Sequence, residues 1–226
     1  MELLEGLATT RAIRRLRPDP IPEEDLAKIF FAATRAPSGS NRQPFRFVVL
    51  RDGQRSTPAK ELLGEAFRRG WSAKSRDDGY DSAASDDSPR ARTAQAMQHF
   101  VDHFEEIPVV ALPCLQRYRA PTPTEGASVY PACQNLLLAA RALGYGGVIT
   151  MWHAFVEPQL RSLLEIPDDV LIAATIPLGR PAGGGHGPVR RRPLPELVYE
   201  DGWDSPASWA VDPPGTRFTG APPAQG

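Results

Sequence analysis

The sequence predicts an α+β fold, with a central mixed or antiparallel sheet flanked by helices. Two observations lead there. Several stretches carry apolar residues at helical spacing, and about four short apolar runs read as strands. They follow one another in mixed order, without the β–α alternation of a doubly wound sheet.

Taken in order, Leu3, Leu4 and Leu7 predict a short helix at the start. Pro22 followed by Glu23, Glu24 and Asp25 marks a second helix start, because proline suits the first turn and acids complement the macrodipole there. Leu26, Ile29, Phe30 and Ala33 give it an apolar face, and Ala36-Pro37 stops it. Phe47 to Leu50 is a strand, and Ala59 to Arg69 a further helix. From Ser72 to Arg92 the chain is rich in Ser, Asp, Arg and Gly. Such a run buries too little surface to offset its ordering entropy, so it is predicted as a lid or a disordered loop.

Helix resumes from Thr93 to Phe104, and Pro108 to Leu115 is a buried strand whose end Pro113 marks. Ser128 to Leu143 is apolar nearly all round and is predicted as a buried helix, with Pro131 in its first turn. Gly144, Gly146 and Gly147 end it and lead to a strand, Val148 to Met151. Pro158 to Leu164 is a short helix, and Val170 to Leu178 the last strand. The expected organisation is one domain over residues 1–203, followed by a Pro/Gly-rich extension over 204–226.

Composition narrows the function. The formal charge is −1 over 226 residues, which argues against a basic nucleic-acid surface. No apolar run approaches the ~20 residues that span a bilayer, and the acidic N-terminus does not read as a signal peptide. The expected location is cytoplasmic, with Cys114 and Cys133 as buried free thiols. Lys28, Lys60 and Lys74 are the only lysines. His99 and His103 have i, i+4 spacing but no H-E-x-x-H pattern, and no metal site is expected. Gly183-Gly184-Gly185 lacks a Walker lysine and reads as a loop.

Two segments carry the chemistry. Thr9 to Leu16 places Arg11, Arg14 and Arg15 within one or two helical turns, enough guanidinium forks to hold a phosphate. Ala36 to Phe45 reads A-P-S-G-S-N-R-Q-P-F and runs into the first strand. Its small residues let backbone amides approach a planar ligand, and Asn41 and Gln43 offer side-chain amides. The pair describes a ligand with both a phosphate and a hydrogen-bonding ring. Flavin mononucleotide, FMN, has that shape.

Those segments resemble the FMN-dependent nitroreductase family. Three further matches follow in the family's order: Gln134 to Ala140, Gly144-Tyr145-Gly146, and Arg191-Arg192-Pro193-Leu194. The resemblance spans roughly Glu5 to Trp203. It implies an intertwined homodimer with two FMN sites at the subunit interface, each built from both chains. It also implies a ping-pong oxidoreductase that takes a hydride from NADH or NADPH and passes electrons to a small aromatic acceptor, such as a nitroaromatic or a quinone. Alternatives within the same structural group are a reductive dehalogenase and a flavin-fragmenting enzyme. A non-catalytic flavin carrier or sensor is a third reading, and a deazaflavin could replace FMN.

Carried over residue by residue, the resemblance assigns Arg11, Ala12 and Arg14 to the phosphate and ring ends of FMN. Thr10 and Ala12 depart from the family's arginine and serine at those positions, and Arg15 is expected to face solvent. Pro37, Ser38, Gly39, Asn41 and Gln43 match the flavin loop, and Arg191 matches a phosphate ligand. Ile149, Thr150 and Met151 match the segment lying against the ring, where the Thr150 hydroxyl could donate to N5. Gln134 is either a flavin contact or, with Asn135, a structural amide. No catalytic acid or base is expected, because the flavin carries the hydride.

Overall fold

The computed structural model describes residues 1–80 and 88–214. They form two compact units: residues 12–185, and residues 1–11 together with those from 186 onward.

The larger unit is built on a five-stranded sheet in the order β1-β2-β5-β3, with β4 also paired to β2. The strands are β1 (Phe45–Leu50), β2 (Val109–Gln116), β3 (Gly146–Gly147), β4 (Val170–Ile172) and β5 (Ile176–Gly179), and all pairings are antiparallel. Every residue of β2 except Gln116 is buried, and alternate side chains serve opposite faces. Val110, Leu112 and Cys114 join the core formed with helices α3 (Ser56–Asp77) and α4 (Pro89–Asp102). Val109, Ala111 and Leu115 join the core formed with α2 (Glu23–Ala33) and α5 (Tyr130–Ala142). α6 (Glu157–Leu164) adds Leu160 to the first of these cores. Burial pushes the Cys114 thiol up to about 11 and the Cys133 thiol up to about 12, so both are inert, buried thiols.

Several expectations change. Pro113 does not end β2 but stands inside it, opposite Phe47. Its carbonyl accepts from the Ala173 amide at 2.8 Å, so its missing N–H faces the gap where β2 passes from β4 to β5. That gap also splits the single strand expected over Val170 to Leu178. The strand expected at Val148 to Met151 is displaced onto Gly146 and Gly147, and the chain returns to the ladder only at the Thr150–Thr175 bridge. α3 continues past Arg69 to Asp77, because Phe67, Trp71 and Ser75 extend its buried stripe at four-residue spacing. Residues 72–77 of the expected lid are therefore helix. Its C-terminal part opens α4, where the Ser88 hydroxyl caps the Ala91 amide at 3.1 Å; positions 81–87 lie outside the described residues.

α5 buries only Ala132, Cys133, Leu136 and Ala140, and Gln134 is exposed. The helix ends in a Schellman motif: Gly144, at φ +84°, donates to Arg141 and Tyr145 donates to Ala140. The motif turns the Tyr145 ring into the core, where its hydroxyl donates to Asp25 Oδ2 at 2.6 Å and Arg180 lies over its face.

The smaller unit holds α1 (Leu3–Thr9). The Thr9 carbonyl accepts from Gly187 at 3.0 Å, and Ala207 donates to Val198 at 3.2 Å. Trp209 Nε1 donates to Glu200, and Asp212 accepts from the Leu194 amide. Part of the expected extension is thus hydrogen-bonded to residues 194–200, and its positions 215–226 lie outside the described residues. No helix of the described residues is long and apolar enough to cross a membrane.

One buried side chain makes the fold pH-sensitive. His153 is 3% exposed, its Nε2 lies 3.0 Å from the Ile172 carbonyl, and its Nδ1 has no partner among the described residues. Burial holds it below the ordinary histidine value, against the hydrogen bond to Ile172. The unfolded chain therefore takes up this proton first, and the stability present above about pH 6.5 is lost as pH falls toward the folded value. Thermal melting between pH 7.5 and 5 should fall more steeply for the wild type than for His153→Gln. Parallel profiles would assign the acid sensitivity to other groups.

Candidate functional site

The described residues place the expected site residues of the larger unit in two groups, one on each face of the sheet. The first surrounds a cavity of about 250 Å³ on the α3/α4 face, lined by Arg14, Ile149 and Thr150. Trp71 and Lys74 of α3, Tyr80 beyond it, and Trp152 complete much of its wall.

Local backbone geometry fixes each of these. Ile13 is buried, and its amide donates to the Gly147 carbonyl at 2.9 Å. A Cβ on Gly146 would come within 2.7 Å of Ile13 Cγ1, so the glycine makes the seat for that side chain. With Ile13 seated inward, Arg14 follows half-buried at the cavity and Arg15 is exposed, as expected. Thr150 exchanges both backbone hydrogen bonds with Thr175, at 3.0 and 2.8 Å, which holds it at the cavity wall. Its hydroxyl makes no hydrogen bond among the described residues. Met151 is exposed and does not line the cavity.

The Arg14 guanidinium likewise has no hydrogen bond or ion pair among the described residues. Burial lowers it from its ordinary value, and the Tyr80 phenol opposes that. A desolvated, unpaired cation is costly unless an anionic group meets it. Elsewhere in the lining Tyr80 packs 5.4 Å from the Trp71 ring, with Arg90 of α4 stacked 5.1 Å over it. Lys74 is ion-paired with Asp78.

The second group is the loop from Pro37 to Gln43, which follows α2. The Gly39 amide donates to Ser128 Oγ at 3.4 Å just ahead of α5, and Ser38 Oγ accepts from the Gln43 amide at 2.9 Å. Gln43 Nε2 donates to Asn41 Oδ1 at 3.2 Å. Ser40, Asn41 and Gln43 are the left-handed positions, with φ of 49–51°. Each such non-glycine residue costs about 1–2 kcal/mol, a strain that concentrates at functional loops. Pro37, Gly39, Asn41 and Gln43 are exposed, and none of this loop lines the Arg14 cavity. Gln134 is exposed on α5, whereas Asn135 reaches the Ala32 carbonyl at 3.4 Å and ties α5 to α2.

Arg11 and Arg191 belong to the smaller unit. Both are exposed, and Arg191 Nη1 donates to the Arg190 carbonyl at 2.8 Å. Ala12 is exposed at the start of the larger unit. Among the described residues no three His, Cys, Asp or Glu side chains group as metal ligands.

The nitroreductase family profile matches residues 7–180, most of the chain. The chain belongs to the nitroreductase family. Among its relatives, an NADH dehydrogenase of Thermus thermophilus is 32% identical over 205 residues, covering 83% of this chain and 90% of the relative. A 5,6-dimethylbenzimidazole synthase of Rhodospirillum rubrum is 30% identical over 200 residues, covering 86% and 85%. A Desulfovibrio desulfuricans protein assigned as a nitroreductase, solved in complex with FMN, superposes with a TM-score of 0.64 at 26% identity, covering 90% of this chain and 98% of that one. Nitroreductase-family membership accounts for the α+β architecture and its antiparallel sheet.

Sequence reasoning left Trp71, Met97, Phe100 and Trp152 out of the site, although all four line the cavity. The usable signal was the i, i+4 spacing of Phe67 and Trp71, which carries the helix past Arg69 and brings Lys74 and Tyr80 to the same wall.

Proposed function

We propose that this nitroreductase-family protein is an FMN-dependent NAD(P)H oxidoreductase acting on small electron-poor aromatic compounds. The observation that carries the reading is Arg14, a half-buried guanidinium with no carboxylate partner among the described residues, which lines one cavity together with Thr150. Arg14 and Thr150 supply the donors that the ring of FMN calls for there. Arg14 would hold the N1 and O2 edge of the ring, where negative charge develops on reduction, and the Thr150 hydroxyl would donate to N5. When bound, FMN supplies the capacity to accept a hydride and to give up electrons. Trp71, Tyr80 and Trp152 line the cavity and would offer aromatic surface to an electron-poor acceptor. The segment around Tyr80 is proposed to govern acceptor range.

The Pro37–Gln43 loop and the Arg14 cavity occupy opposite faces of one sheet. A symmetric homodimer in which one copy's loop completes its partner's cavity accounts for both groups. Arg11 and Arg191 are assigned to the phosphate. The similarity to a 5,6-dimethylbenzimidazole synthase supports flavin fragmentation as the second reading, in which turnover would consume the flavin.

The purified protein should be yellow, dimeric by sedimentation, and oxidise NADPH or NADH with a quinone acceptor. Arg11→Ala and Arg191→Ala should each weaken FMN about 10- to 100-fold while leaving riboflavin nearly unchanged, because each removes a charge-assisted phosphate contact. Equal losses for both ligands would mean the phosphate lies elsewhere. Failure to bind FMN at tens of micromolar would remove the proposal, and tight FMN without NAD(P)H oxidation would favour a carrier.

A further inference from the structure

We propose that Lys60 is an acylation site, the lysine of this chain whose amine reacts first with small acyl donors such as acyl phosphates and short-chain anhydrides. Two of the three lysines share one state and the third does not. Lys28 Nζ donates to Glu24 at 2.7 Å on the exposed side of α2, and Lys74 is paired with Asp78 at the end of α3. In both, the carboxylate hydrogen bond holds the ammonium form and raises the group above its ordinary value. An ammonium has no lone pair to donate, so these two lysines are poor nucleophiles at neutral pH.

Lys60 is built differently. It is 5% exposed and has no hydrogen bond or ion pair among the described residues. It lines a second cavity, of about 480 Å³, with Arg51, Asp52, Glu105, Glu106 and three prolines. The charged groups facing it come from two segments. Arg51 and Asp52 lead from β1 toward α3, and Glu105 and Glu106 follow α4. Three of these four are engaged elsewhere: Arg51 with Glu23 at 3.0 Å, Glu105 with Arg68 at 2.7 Å, and Glu106 with His103 at 2.9 Å. The charges of Asp52 and Glu105 favour the ammonium, but burial is the larger effect and the amine lies below its ordinary value.

The chemistry follows from that state. The lone pair of the deprotonated fraction of Nζ, which burial enlarges, attacks the acyl carbon, the C–N bond forms, and the bond from acyl carbon to the leaving oxygen breaks. Carboxylate or phosphate departs, and the amine proton passes to water or to the Asp52 carboxylate. The product favours the site as well, since a neutral amide replaces a cation that burial penalises. The cavity has room for an acetyl group.

The test is competitive labelling of the wild-type chain with trace deuterated acetic anhydride from pH 6.5 to 9. Denaturation, complete acetylation with unlabelled reagent and peptide mass spectrometry then give each site's share. At pH 7, Lys60 should be labelled at least about fivefold faster than Lys28 or Lys74, and its rate should level off at lower pH. In 8 M urea the three should react alike. Labelling of Lys60 equal to or slower than the two exposed lysines in the folded protein would overturn the proposal. Acetyl phosphate in place of the anhydride should mark the same lysine.

Discussion

Replacing Arg14 by alanine should weaken FMN and riboflavin alike, each by about 10- to 100-fold, as expected for loss of a desolvated charged contact worth about 1.5–3 kcal/mol. The expectation rests on the guanidinium's place beside Ile149 and Thr150, at the end of the site assigned to the ring. Arg11 and Arg191, by contrast, are assigned to the phosphate and should leave riboflavin nearly untouched. Arg14→Lys should recover only part of the loss, because an ammonium presents no planar fork to a ring edge. Isothermal titration of both ligands against the three alanine variants separates the two ends of the site. If Arg14→Ala lowered FMN affinity alone, Arg14 would belong to the phosphate and the orientation proposed here would be reversed.

The second large effect is on stability. Phe67 is fully buried, stacked 4.5 Å from Phe104 and set edge-on to Phe100 and Trp152 at 5.8 and 5.2 Å. Phe67→Ala should cost about 3–5 kcal/mol, combining lost transfer energy with the void that these rings cannot refill. Phe67→Leu should cost less than half of that, since it keeps most of the volume. Urea denaturation followed by fluorescence measures both. Because Trp152 packs on Phe67 and also lines the Arg14 cavity, the alanine variant should also lose ligand affinity beyond what unfolding explains. An alanine variant within about 1 kcal/mol of wild type would mean that the aromatic cluster closes around the gap.

Much of this was legible in the residues. The start of α2, Pro131 in the first turn of α5, and strands at Phe47 and Pro108 follow from local rules, and the structure has them within a few positions. The arginine segment and the Ala36–Phe45 run pointed to the family. What local rules missed was decided by partners distant in sequence. Pro113 reads as a strand end until β4 and β5 are seen to part opposite it. The polar run after Ser72 reads as loop because its composition is averaged, whereas Trp71 and Ser75 keep that side of α3 buried. Tyr145 sits between two glycines in a turn signal, yet its buried ring and its bond to Asp25 join α2 to the end of α5. The placement of the expected site residues in two separate groups has no local signature, because it depends on which helices cover which face of the sheet.

The seating of Ile13 on Gly146 carries a consequence for change in this chain. The cation's aim is set by counting: one residue after the anchored isoleucine points toward the cavity, and the next points to solvent. A single inserted residue between Ile13 and Arg14 would leave both arginines in the sequence, but the inserted residue would take the inward position and Arg14 would turn to solvent. A methyl group at position 146 would unseat the anchor without touching an arginine. The site is therefore exposed to shifts of frame along the strand edge as well as to exchange of its visible side chains, and one of its sensitive positions has no side chain at all.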